Sequence, residues 1–506
     1  MSNSNLPLIN KAKAFKQRIA IVDENGQYTY EELLNASNSV ASSLLQKQTD
    51  CTGARIAFMV PSGFEYVAVQ WGIWLAGGIA VPLCTSHPLP EIEYVLEDTG
   101  AEIVIVHPDF EEKLRSLISK TNLQVLLTKR ILSGETFPLP SIDLQQPAMI
   151  LYTSGTTSKP KGAVLTHKNI TSQIETLIEA WGWDADDHIL HVLPLHHTHG
   201  IVNALLCASW SGAVCEMLPR FDVHKVWDKF VEGNVTLFMA VPAIYLKLIS
   251  YWDGASSEEQ KRMSGACAKL RLMVSGSAAL PVSIFGKWQK ITRHTLLERY
   301  GMTEIGMALS NPLNGQRKPG FVGMPLPGVT LRLVDDSGKE IHNENAPGEI
   351  QVKGGNVFKE YWNKPEVTQA VFRDGWFCTG DVAVVENGYY KILGRSSVDI
   401  IKTGGYKVSA LEIEDVLRTH PKIEECAVVG IEDREWGEMV SAAIVPNSDK
   451  SVSLNDLKEW ASEKMASYKI PRKLLILDEL PRNVMGKVNK LALKKQFTAG
   501  LGTSHN

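Results

Sequence analysis

Seven cysteines are spread over 506 residues without one C-x-x-C pair. That excludes a zinc ribbon and offers no disulfide framework, so the sequence points to a reducing, cytoplasmic setting. Charge of either sign is nearly absent in the balance. The 52 basic and 56 acidic residues leave a net charge of −4, which gives no bulk signal for nucleic acid. Long apolar runs are missing too. The longest uncharged stretch, Tyr66 to Pro90, contains Gln70, Gly77, Gly78 and Pro82, which predicts a buried helix followed by a strand and no membrane span. The start, "MSNSNLPLINKAKAF", lacks an apolar core and a cleavage site and is expected to remain uncleaved. No internal repeat is visible. With 44% apolar and 21% charged residues, this is the composition of an ordinary soluble globular protein. A chain of this length exceeds what one hydrophobic core supports, and more than one domain is expected.

The pattern that is present is α/β. Short apolar runs, "RIAFMV", "AEIVIV", "VTLFMAV" and "LRLMVSG", alternate with helical periodicities, as in layered and largely parallel sheets. Ile170, Ile174, Leu177, Ile178 and Trp181 recur at helical spacing behind Thr166, a suitable N-cap. Beyond about residue 330, "LRLVDDSGKE", "GEIQVKG" and "GYYKILG" sit between glycine turns and predict a small antiparallel module. A helix starting near Ser409 and strands at "CAVVGI" and "VSAAIVP" predict a compact α+β unit at the end. The fold class is therefore α/β, with a large N-terminal domain over 1–394 and a smaller α+β domain over 395–506.

Between two extended runs, "MILYTSG" and "AVLTH", lies the segment "YTSGTTSKPKG". Thr153, Ser154, Gly155, Thr156, Thr157 and Lys161 combine hydroxyls, a glycine and an ammonium group. Glycine lets the backbone approach a ligand, and successive N–H groups with hydroxyls and lysines suit polyphosphate oxygens. Lys161 is not followed by Ser or Thr, and the lysine spacing is wrong, so this is not a Walker A loop.

"YTSGTTSKPKGAVLTH" resembles the phosphate-binding signature of the acyl-adenylate-forming superfamily of acyl-CoA synthetases. "LPLHHTHG", "SGSAAL", "ERYGMTE", "TGD", "GRSSVDIIKTGGYKVSALEIE" and "PRNVMGK" follow in the family's order and extend the likeness over about three quarters of the chain. Ser158 departs from the glycine that many members carry there. The resemblance implies ATP, Mg²⁺ and coenzyme A as partners of a small carboxylic acid, in a monomer or homodimer with neither nucleic acid nor integral membrane association.

It also implies roles. Lys487 would contact the reacting carboxylate and phosphate, Glu304 would hold Mg²⁺, and Thr303 would touch phosphate. Tyr300 and Gly301 would lie against adenine, opposite Gly276, Ser277 and Ala278. Asp381 would accept from both ribose hydroxyls, with Arg395 as its companion. Lys402, Gly404, Gly405 and Tyr406 would line the thiol route after the C-terminal lid swings about a hinge near Ser397 to Asp399. Of the "HHTHG" histidines, His199 would line the acyl pocket, and His197 would be structural. A metal site is not assigned to them, because neither an acidic nor a cysteine partner stands beside them.

A dicarboxylate would need a fixed cation for the carboxylate that does not react, and arginine suits it. Arg299 and Arg317 are the two candidates, each open to a purely structural reading. The wider context resembles the malonyl-CoA synthetase branch, which implies malonate, with methylmalonate as a second substrate. Two rivals stand beside this: a short-chain or aryl monocarboxylate ligase, and a catalytically silent nucleotide-binding protein of the same fold.

Overall fold

The computed structural model describes residues 5–46, 49–118, 123–135, 137–153, 159–404, 406–447, 452–482 and 488–499. The chain forms two compact units, Met1–Thr330 with Val352–Phe377, and Leu331–Gln351 with Cys378–Asn506.

Among the described residues, the first unit contains a nine-stranded and a seven-stranded sheet. The inner strands of the larger sheet are parallel. They run from Leu297–Met302 through Leu272–Ser275, Leu237–Ala240, His188–His191 and Val214–Met217 to Ile19–Asp23. The strand Gly306–Ser310 adds antiparallel to Leu297–Met302. Two of them, Leu272–Ser275 ("LMVS") and Leu237–Ala240 ("LFMA"), are wholly buried, as expected where helices cover both faces. Trp227, Tyr245, Phe230, Phe238 and Trp288 fill the core beside them.

In the smaller sheet, Ile79–Pro82 pairs in parallel with Arg55–Met59 and Pro147–Thr153. The uncharged stretch is thus the expected buried helix, Phe64–Leu75, followed by that strand. Pro147–Thr153 and Lys161–Thr166 form an antiparallel hairpin in which Thr153 faces Lys161. The helix His167–Trp181 begins where expected. The Thr166 side chain accepts from Asn169 N, the Asn169 side chain returns the bond, and Gly182 ends the helix in the left-handed region. Such a cap contributes about 1 kcal/mol. It fixes where the hairpin hands over to the helix.

In the second unit, Ile423–Asp433 and Gly437–Pro446 pair antiparallel, with Ile400–Thr403, Tyr406–Ser409 and Lys473–Ile476 completing a five-stranded sheet among the described residues. The helix Ala410–Leu417 is capped by Ser409. No helix among the described residues is long and apolar enough to cross a membrane.

Candidate functional site

Ser154, Gly155, Thr156, Thr157, Gly405 and Lys487 lie outside the described residues. The frame of the hydroxyl-rich loop is nevertheless clear. Lys161 stands at the end of its returning strand, with Nζ 4.9 Å from the ring centroid of Tyr361. Tyr361 reaches this place because the short strand Glu360–Tyr361 pairs with Ala163 and Val164. Its hydroxyl donates to Glu304 Oε1 at 2.8 Å. A cation, an aromatic ring and a buried carboxylate are thereby brought into successive contact. The carboxylate supplies a hard oxygen of the kind Mg²⁺ takes. Thr303 borders a cavity of about 10 Å³ with Thr198, Gln173 and Asn356, room for one water at most.

The two arginine candidates separate. Arg317 donates through Nε to the Pro312 carbonyl at 3.1 Å, through Nη2 to that of Leu313 at 2.8 Å, and through Nη1 to that of Thr295 at 2.5 Å. It clamps the loop that carries it. Arg299 is 4% exposed, on the strand Leu297–Met302, and among the described residues no carboxylate pairs with it. Its guanidinium lies over Gly276, where a Cβ would stand 2.4 Å from Cζ, so a side chain there would displace the guanidinium. Burial pushes this guanidinium down to about 9.

His199 stands on the other side of Ser277. Arg299 Nη2 donates to Ser277 Oγ at 3.3 Å, and that hydroxyl lies 3.2 Å from His199 Nδ1. With the hydroxyl turned to Nδ1, the ring proton of His199 sits on Nε2. Burial first, then Arg299, His191 and His197, hold this imidazole well below its ordinary range, so it is neutral. Neither His199 Nε2 nor Arg299 Nε has a hydrogen-bond partner among the described residues. Two buried N–H donors without acceptors, one on a cation, describe a place for an anion. Ser277 itself adopts φ of 69°, a strained value for a serine. His199 opens a π-helical segment, His199–Leu206, which is rare and local to such sites. Tyr300, Gly301 and Ala278 flank Arg299 and Ser277 in the chain. Tyr300 and Gly301 are half-buried, and Ala278 is exposed.

In the second unit, Asp381 and Arg395 face each other across paired strands, with Nε 3.2 Å from Oδ1. Asp381 is 7% exposed, and its backbone N–H donates to Thr379 Oγ1. Lys402 borders an open concavity of about 690 Å³ with Glu432, Asp433, Arg434, Gly437 and Glu438. Gly404 has φ of 55° and its N–H donates to the Trp436 carbonyl at 2.8 Å. Tyr406 is exposed and stacks on Tyr468 at 4.3 Å. Near the expected hinge, Asp399 Oδ1 meets Lys490 Nζ at 2.6 Å, and Lys490 also meets Glu414 at 2.7 Å.

Two groups of side chains escaped the sequence reading. Tyr361 had no motif around it, and only strand pairing brings it to Glu304. His196 is joined by Cys84 and His87 from the loop after Ile79–Pro82, over a hundred residues earlier. Burial raises the Cys84 thiol, but hydrogen bonds from His196, His87 and Ser86 outweigh it and hold the thiol at about 5. A C-x-x-H spacing in "CTSH" was the signal available in advance.

The first unit sets a lysine beside a tyrosine-held carboxylate at the strands that flank the hydroxyl-rich segment, and the second unit by itself pairs an aspartate with an arginine. The AMP-binding enzyme family matches residues 8–362 and its C-terminal domain matches residues 412–487. The chain belongs to the AMP-binding enzyme family. Within it, the chain is 45% identical to the mitochondrial malonate–CoA ligase ACSF3 of Mus musculus, over 98% of this chain and 91% of that protein. Its fold superposes on the ATP-bound crystal structure of MatB from Rhodopseudomonas palustris with a TM-score of 0.87, at 33% identity, covering 97% of this chain and 99% of that one. The O-succinylbenzoate coenzyme A synthetase MenE of Bacillus subtilis, in complex with ATP and magnesium ion, gives 0.84 at 29% identity, covering 97% and 99%. The layered α/β fold expected from the sequence is the fold of this family.

Proposed function

We propose that the protein is an ATP-dependent malonate–CoA ligase that forms malonyl-CoA, AMP and pyrophosphate through a malonyl-adenylate. The observation that carries the choice of acid is Arg299, a buried guanidinium with no carboxylate partner among the described residues, beside the orphaned Nε2–H of His199. A dicarboxylate brings its own second charge to such a place. A monocarboxylate would leave both donors unpaired, at a cost of about 1–3 kcal/mol for each group. Arg317 is engaged with backbone carbonyls, so Arg299 takes the distal carboxylate in this reading.

The chemistry then follows from charge. One carboxylate of malonate attacks the α-phosphorus of ATP, and pyrophosphate leaves. The two anions repel, so cations and N–H donors at the developing charge lower the barrier. Lys487 and the hydroxyls of 153–157 serve the phosphates, with Lys161 held beside Tyr361. Mg²⁺ on Glu304 would neutralise part of the polyphosphate charge. Asp381, held by Arg395, accepts the ribose hydroxyls. In the second half the CoA thiolate attacks the acyl carbon and AMP leaves, with Lys402, Gly404, Gly405 and Tyr406 along the thiol route. The functional division into 1–394 and 395–506 belongs to the same proposal, as does methylmalonate as a second substrate. Seven cysteines that form no disulfide, six of them buried, support a reducing compartment, the cytoplasm in our reading. The vertebrate relative named above is mitochondrial.

The test is AMP release from ATP and Mg²⁺, with and without CoA, across malonate, methylmalonate, acetate, octanoate and an aryl acid. CoA-dependent turnover with malonate and little with the monocarboxylates is expected. Preference for acetate or an aryl acid would remove the malonate assignment, and no turnover with any acid would favour the silent binder.

A further inference from the structure

Outside the residues used above, one cluster in the first unit gathers three side chains that ligate soft and borderline metals. Cys84 Sγ and one ring nitrogen of each of His87 and His196 all lie within 4.8 Å of one another. Cys84 is buried, and His87 and His196 are half-buried. Cys84 and His87 follow the buried strand Ile79–Pro82, and the thiol is 7% exposed. His196 precedes the π-helical segment, and its ring lies 5.6 Å from that of His87 and 4.0 Å from that of His197. Ser86 Oγ is 3.1 Å from the sulfur.

Glu91 gives the cluster an outer layer. Its Oε2 lies 3.1 Å from His87 Nδ1, which leaves Nε2 as the ring atom to offer a cation. A ligating histidine whose other nitrogen donates to a carboxylate has its tautomer and orientation set in advance. The carboxylate also offsets Lys113, whose ammonium donates to the Thr85 carbonyl at 2.8 Å close by. One thiolate and two imidazoles, with a fourth position for solvent, match the tetrahedral preference of Zn²⁺, with metal–sulfur distances of about 2.3 Å and metal–nitrogen distances of about 2.0 Å. Oxygen-seeking Mg²⁺ and Ca²⁺ are poorly served by this donor set.

We propose that Cys84, His87 and His196 form a binding site for a zinc-class divalent cation, with Glu91 as the positioning residue behind His87. The site is separate from Glu304 and its Mg²⁺ role, and it does not depend on which acid the enzyme uses. Because His196 stands three residues before His199, an ion there ties the loop after Ile79–Pro82 to the segment that carries the anion-facing imidazole.

The experiment is a competition titration of the full-length protein with Zn²⁺ against a chromogenic chelator, repeated with Co²⁺ as a spectroscopic probe. One equivalent of Zn²⁺ per chain is expected, with a thiolate-to-cobalt charge-transfer band in the Co²⁺ protein. Cys84→Ser should abolish that band and weaken Zn²⁺ binding by at least about 100-fold, and Glu91→Gln should weaken it by about 10-fold. The other six cysteines remain in Cys84→Ser, so a contribution from them would persist there. His342→Ala, at an exposed histidine elsewhere, should change nothing. Circular dichroism melts establish that each variant folds, and His87→Ala replaces Cys84→Ser if the latter does not. Failure of the wild type to retain Zn²⁺, or unchanged affinity and an unchanged cobalt spectrum in the folded cysteine or His87 variant, would overturn the proposal.

Discussion

Replacing Arg299 with methionine separates a charge that serves the substrate from one that serves the fold. Burial lowers the proton affinity of this guanidinium by between three and four powers of ten, down to about 9. At about 1.4 kcal/mol per power of ten, roughly 5 kcal/mol of hydration is not replaced by the protein. Ser277 Oγ and the nearby ring nitrogen recover little of that, because one of them is shared and the other is neutral. Methionine keeps much of the volume and removes the charge. Stability of the unliganded protein should therefore rise by about 1–4 kcal/mol, as when buried charges give way to apolar side chains. Catalysis should move the other way. Loss of one partner of a buried, hydrogen-bonded charge pair costs about 2–5 kcal/mol, or about 30- to 5,000-fold in kcat/KM for malonate. The KM for ATP should stay within about twofold, and discrimination against acetate should narrow. Steady-state AMP release and thermal unfolding of the apo protein read both effects. A variant that is less stable than wild type and uses malonate within about threefold of it would refute the reasoning, because Arg299 would then be an ordinary structural cation.

Other consequences can be measured alongside. Arg317→Met should lower stability by about 1–3 kcal/mol through its three lost carbonyl bonds and leave the KM for malonate unchanged. A large rise in that KM would restore Arg317 as a substrate contact. Tyr361→Phe removes the donor to Glu304 and, at about 1.5–3 kcal/mol for a bond to a charged group, should cost at least about 10-fold in kcat/KM for magnesium–ATP, and unchanged kinetics would detach Glu304 from the metal role. His167 and His191 are held by burial at about 4, and His199 lies well below its ordinary value. Their folded-state affinities are depressed, so the unfolded chain binds up to three more protons between about pH 4 and 6.5, and stability is lost as pH falls through that window. Unfolding free energy from urea titrations should fall as pH drops from about 6.5 toward 4, by up to about 1.4 kcal/mol per pH unit for each histidine, and a flat profile would contradict the neutral burial of these rings.

The parts of the site that were legible in the sequence are those whose signal is local. Thr166 announced its helix because a cap and an apolar stripe lie within fifteen residues. The hairpin around the hydroxyl-rich loop was legible because both of its strands carry apolar runs. Arg299 stood out as a cation beside a motif, but the lack of an acidic partner among the described residues is a property of the packed strand and the glycine beneath it. Arg317 looked equivalent because the three carbonyls it holds are invisible as letters. The same limit hid Tyr361, which reaches Glu304 from the edge of the seven-stranded sheet, and Cys84, which follows a strand of that sheet and meets His196 after a strand of the nine-stranded one. The β module expected from about residue 330 to 394 was placed with the large N-terminal domain, whereas residues 331–351 and 378–394 cluster with the chain that follows, since β pairing is decided by distant partners.

The π-helical turn at His199–Leu206 has a consequence for how this segment changes over generations. A π-turn is an α-helix that has taken in one residue, and each residue of an α-helix advances the face by about 100°. Loss of a single codon here would let the helix relax to the commoner form and swing His199 away from Ser277 and Arg299. Substitutions within the segment alter the wall of the pocket, but a one-residue deletion changes which side chain is the wall, so lineages that keep this chemistry should hold its length fixed even where its letters drift.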